Sequence, residues 1–170
     1  MFNKFFITLL CSYCLIGYCD NQIKLKSGPN YIDFNNDGLQ DIIFKGLYDN
    51  STSHPDTTYT FYLKSKDSSF VHIPIGENIE DITFWDEKVS GLGYLFRDLR
   101  VFKIKNKTVV VIATKSQLSN FDKSAVTLIY YHLVKSPEGP GQIPFRWLEY
   151  KSIKTQQQYK SVESAFNEVK

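Results

Sequence analysis

The sequence predicts a mainly β protein, an antiparallel sheet or sandwich-like single domain closed by a short C-terminal helix. Two observations carry that prediction. From Ile23 onward the apolar residues come in short runs rich in Tyr, Phe, Ile, Val and Thr, which suit pleated, half-buried strands. Clusters of turn formers separate those runs, as at Asp49–Asp56, Ser90–Gly93 and Ser136–Gly141, and only the tail changes period.

The first element is not part of that domain. Residues 1–19 read as a signal peptide: Lys4 supplies a positive n-region, and Phe5–Ile16 form an apolar stretch too short to span a bilayer. Gly17 and Cys19 are small residues at the positions a signal peptidase reads, so cleavage before Asp20 is expected. The mature domain then spans residues 20–170 and is periplasmic, without a stable membrane span. Lipidation at Cys19 is the alternative, opposed by the bulk of Tyr18. Cys11, Cys14 and Cys19 are the only cysteines and all fall in the leader. The domain therefore holds no disulfide, and about 150 residues bury a core without one. With Lys4 removed the chain is close to neutral and its charges are interspersed, which gives no handle for nucleic acid.

Strands are expected at Ile23–Lys26, Tyr31–Asp33, Asp41–Leu47, Thr57–Leu63, Phe70–Ile73, Ile82–Trp85, Arg97–Ile104, Thr108–Thr114, Ala125–Val134 and Phe145–Ile153. The two β-branched runs around Lys105-Asn106-Lys107 predict a hairpin. Ser161 is placed to cap a helix whose Val162, Ala165, Phe166 and Val169 share one face.

One motif carries chemistry. Asp33-Phe34-Asn35-Asn36-Asp37-Gly38-Leu39-Gln40-Asp41 places oxygen side chains at relative positions one, three, five and nine, with glycine at six. That spacing is the front of a calcium loop, in which alternate residues point inward at a hard cation. Asp33, Asn35, Asp37 and Asp41 would give side-chain oxygens and Leu39 its carbonyl, holding Ca2+ in a structural role. Phe44 at position twelve excludes an EF-hand. The competing interpretation is a polar hairpin turned by Asn36-Asp37-Gly38. The flanking strands make the loop resemble a single calcium turn of FG-GAP or VCBS type, but those occur in arrays and this chain has one copy.

Three further residues are candidates for a ligand or partner surface. His54 stands in a turn-rich loop before Pro55, and Trp85 and Tyr94 belong to an aromatic segment, Phe84–Phe96, around a glycine hinge. Exposed, that segment is a binding lip. Folded inward, it is core. His72 and His132 lie in strand-like runs and read as structural, and no histidine spacing matches a zinc site.

The leader, the strand-flanked acidic loop, Tyr48-Asp49-Asn50 running into Ser53-His54, and Tyr59-Thr60-Phe61-Tyr62 together resemble the CarG-type, or CpmJ-like, carbapenem intrinsic-resistance proteins. The resemblance implies a periplasmic protein that protects a carbapenem-producing or carbapenem-exposed bacterium, acting with a partner protein rather than as a known β-lactamase; carbapenem resistance or tolerance by binding the antibiotic or a partner protein is the expected mode. The resemblance brings no catalytic residues. The residues agree: no serine has lysine three positions later, as a serine β-lactamase needs. A non-enzymatic protein is therefore expected, with a calcium-stabilised adhesion module or a hydrolase with an unrecognised site as alternatives.

Overall fold

A computed structural model describes residues 21–51, 53–76, 82–88, 93–116, 122–137, 139–141 and 143–170. The expected leader, with its cleavage and lipidation positions, lies outside the described residues, as do Val89–Leu92 of the aromatic segment.

Among the described residues, eleven strands make two antiparallel sheets. β1 (Gln22–Ile23) opens the chain; β2 (Gly28–Ile32), β3 (Asp41–Tyr48), β4 (Asp56–Lys64), β5 (Phe70–His72) and β6 (Thr83–Trp85) form the five-stranded sheet. β7 (Glu87–Lys88), β8 (Leu95–Ile104), β9 (Lys107–Thr114), β10 (Ser124–Lys135) and β11 (Phe145–Tyr159) join β1 in the six-stranded sheet. A 3₁₀ helix, Val162–Glu168, ends the fold.

The alternation of side chains in these strands sorts the apolar residues into two cores. Between the sheets lie Ile43, Phe61, Leu63 and Phe84 from one side and Leu99, Val101, Val110 and Trp147 from the other. On the far face of the six-stranded sheet, Phe102, Val109, Val111, Val126 and Leu128 receive Val162, Ala165 and Phe166 of the helix. The order is sheet, sheet, helix. Central β9 is buried on both faces, which is why Val109–Ala113 are continuously apolar.

The predicted hairpin forms: Ile104 pairs with Lys107, and Lys105 and Asn106 both take positive φ, 47° and 63°, as a two-residue turn matched to strand twist requires. Several boundaries differ from expectation. β1 stops at Ile23, and three residues on Asn30 holds the chain: its Oδ1 accepts the Lys26 N–H at 2.8 Å and its Nδ2 donates to the Lys26 carbonyl at 2.9 Å. β11 continues to Tyr159 through a polar run, held by its long pairing with β10. Ser161 does not cap the helix through its side chain; its Oγ instead accepts the Leu95 N–H at 3.3 Å and donates to Glu163 at 3.1 Å.

Candidate functional site

The acidic loop is the connection between β2 and β3, and its carboxylates organise its own backbone. Asp33 accepts the N–H groups of Asp37 and Gly38 at 3.2 and 2.9 Å, and Asp37 accepts that of Leu39 at 2.8 Å. Asn35 accepts from the Asp37 N–H at 3.1 Å and donates to the Asp37 carboxylate at 2.9 Å. Gly38, at φ 87°, allows the turn.

Asp41 does not stand with these oxygens in a common cage. It is fully buried, with one oxygen accepting the Phe34 N–H at 2.8 Å and the other the Lys64 N–H at 2.9 Å. Burial, which outweighs these bonds, raises its pKa, and the charges of Asp37 and Asp33 add to the rise. The expected ligand set is thus divided: Asp33, Asn35 and Asp37 lie at the tip, while Asp41 ties the loop to the end of β4. Among the described residues no three His, Cys, Asp or Glu side chains are grouped as a metal site.

The residues proposed as a surface also separate. Trp85 is exposed and packs edge-on against Tyr48 with ring centroids 4.6 Å apart, on the outer face of the five-stranded sheet. Its neighbour Phe84 points into the core, since successive residues of a strand face opposite ways. Tyr94 is half-buried. His54 lines a cleft of about 330 Å³ with Asp56, Asp86, Glu87 and Lys88. His72 and His132 are in strands and pack on Tyr62 and Tyr150, with centroids 4.2 and 4.9 Å apart.

Asp86 also lines a second cavity, of about 380 Å³, so it is a wall residue of both this cavity and the His54 cleft. This cavity exists because one edge of β8 is incompletely covered. On the edge of β8 away from β9, β1 pairs with Val101 and Phe102 and β7 with Leu95 and Arg97, so neither strand pairs with Asp98–Arg100 there. Asp98 compensates by accepting the Leu99 N–H at 2.8 Å. Arg100 reaches Asp98 at 3.5 Å and Gln22 at 3.2 Å, with its guanidinium 4.5 Å from the Phe166 ring centroid. Asp86 accepts the Thr57 N–H at 2.7 Å and pairs with Lys88 at 3.2 Å, and Lys88 also donates to the Pro55 carbonyl.

Burial pushes Asp98 up to about 6, against the pull of the Leu99 N–H and the Arg100 charge. Its folded pKa therefore exceeds its unfolded one, and its favourable contribution, complete below about pH 3.8, is lost as pH rises through about 6. Asp98→Asn keeps an acceptor for Leu99. The stability of this variant relative to wild type is expected to improve by about 2 kcal/mol between pH 4 and pH 7 in urea titrations. A difference that does not change with pH would contradict this.

Asp86, Asp98, Arg100 and Lys45 were not singled out from the sequence, and Tyr59 entered only through the family resemblance, not as a site residue. The available signal was Asp98 as the one acidic residue in a strand of apolar and basic residues, where a carboxylate needs a reason to be buried.

The chain matches the CarG-like family, "Carbapenem resistance protein CarG-like", over residues 25–168. The chain belongs to the CarG-like family. It is also similar to a solved structure described as the crystal structure of CarG, with a TM-score of 0.82 and 33% identity over 88% of this chain and 95% of that one. No curated protein matches it. The resemblance read from the residues holds, and the family match covers the acidic loop, the His54 cleft, the β8-edge cavity apart from Gln22, Ile23 and Lys24, and the helix of this CarG-like chain. Among the described residues no helix is long and apolar enough to cross a membrane.

Proposed function

We propose that this CarG-like protein confers carbapenem resistance in the periplasm by binding, either to the antibiotic or to a protein partner, without turning the drug over. The supporting observation is the pair of polar clefts that share Asp86 as a wall, whose lining from Leu25 onward lies in the region shared with the family. Their two buried carboxylates each accept a backbone N–H and face a cation. Groups so occupied shape a recess rather than stand poised as a general base.

The test has two arms. Expression in a susceptible strain is expected to raise carbapenem tolerance, and purified protein incubated with the drug is expected to leave its ring absorbance intact. Protein-dependent loss of absorbance would establish a hydrolase, and an unchanged tolerance would remove the resistance role.

Calcium is part of the same proposal, in a structural role at Asp33, Asn35, Asp37 and the Leu39 carbonyl. An ion that binds only the folded loop stabilises it by RT ln(1 + [L]/Kd), about 2.7 kcal/mol at a hundredfold excess over Kd. Equal melting temperatures in excess calcium and in chelator would remove the ion from this reading, leaving the loop to its own hydrogen bonds.

A further inference from the structure

Lys45 and Tyr59 are directly opposed in the β3–β4 ladder, and both line the cavity at the uncovered edge of β8. Tyr59 is 6% exposed, yet its hydroxyl has no hydrogen-bond partner among the described residues. The hydroxyl is reached through the cavity, so its O–H is open to a bound group there. Among the described residues Lys45 likewise forms no ion pair or hydrogen bond; its ammonium lies 5.8 Å from the Tyr59 ring centroid.

The lining acids are in the opposite condition. Asp86 and Asp98 hold backbone N–H groups and face Lys88 and Arg100, and Glu163 accepts from Ser161. The cavity therefore contains two unused donors, one of them cationic, while its carboxylates are occupied. A carboxylate completes that set, accepting from the ammonium and from the phenol. A dianion such as a phosphate is disfavoured by the three acids close by. Leu25, Leu95 and Leu99 add apolar wall, and about 380 Å³ is the size of a small-molecule pocket.

We infer that this cavity binds a small organic monocarboxylate with an apolar body, its carboxylate held by Lys45 Nζ and Tyr59 Oη. This deepens the binding reading and rests on it, because a carbapenem bearing its free carboxylate belongs to that ligand class.

Calorimetric titration of the exported protein with such a carbapenem and with the methyl ester of the same compound tests the assignment. The acid is expected to saturate the wild type, and the ester to bind at least tenfold more weakly. Lys45→Met and Tyr59→Phe should each weaken the acid at least tenfold and leave the ester unchanged. Tyr59→Phe removes only the unpaired oxygen, so it should keep the fold and melt no lower than wild type, which protects the test if Lys45→Met folds poorly. Equal affinity for acid and ester, or wild-type affinity in Tyr59→Phe, would overturn the site and leave binding elsewhere intact. Absence of saturation by the acid in the wild type would also overturn it. Loss of ring absorbance during the titration would instead overturn the binding reading on which it rests.

Discussion

Replacing Trp147 by alanine is expected to cost about 3–5 kcal/mol, the range for emptying a buried aromatic site. Trp147 has no exposed surface and stands edge-on between Phe34 and Phe61, each with its ring centroid 5.6 Å away. Phe34 comes from the acidic loop, Phe61 from β4 and Trp147 from β11, so one indole fills the space where both sheets and the loop meet. Its backbone is engaged too: the N–H donates to the Pro74 carbonyl at 2.9 Å, and its carbonyl accepts from Gly76 at 2.8 Å. Alanine keeps those bonds and loses the filling.

Against a total stability of about 5–15 kcal/mol, a loss of that size removes a large share of the fold. The melting temperature should fall by roughly 6–15 °C. Among the described residues the indole N–H has no partner, so Trp147→Phe surrenders no hydrogen bond and should cost less than half as much as alanine. Urea unfolding followed by circular dichroism compares the three proteins. A Trp147→Ala protein as stable as wild type would show that the two sheets do not depend on this contact.

Asp41→Ala carries the second large effect, about 2–5 kcal/mol, from orphaning the N–H groups of Phe34 and Lys64 in the interior. Part of the cost is offset, because the substitution also removes a carboxylate that burial and two nearby carboxylates disfavour. Asp37→Ala breaks only exposed hydrogen bonds and should cost under about 1 kcal/mol. Thermal melts in chelator separate the two. Equal losses would mean that Asp41 works as one more loop oxygen, and a larger loss at Asp41 establishes it as the anchor joining the loop to β4.

The contrast between Asp33, Asp37 and Asp41 shows where reading the chain reaches its limit. Spacing marks all three as inward oxygens of a turn, and for Asp33 and Asp37 the local hydrogen bonds agree with a loop organised by its side chains. Asp41 is claimed instead by the N–H of Lys64, a residue 23 positions away. The aromatic segment behaves similarly: alternation separates Phe84 from Trp85, but which of them meets a second sheet depends on where β6 docks on β4.

Local chemistry in the sequence by itself determined the strand content, the Lys105-Asn106 turn, the glycine-bearing acidic connection and the apolar face of the terminal helix. Each rests on periodicity or on a turn dihedral, and both act over a few neighbouring residues. Only the tertiary structure decided that Trp147 is the centre of the inter-sheet core. It also decided that β1 and β7 leave a gap at Asp98–Arg100, and that Lys45 and Tyr59 face that gap with donors unused. Those facts depend on which strands share an edge and how far each extends. Pairing between distant segments sets that, and the same alternating pattern is compatible with many pairings.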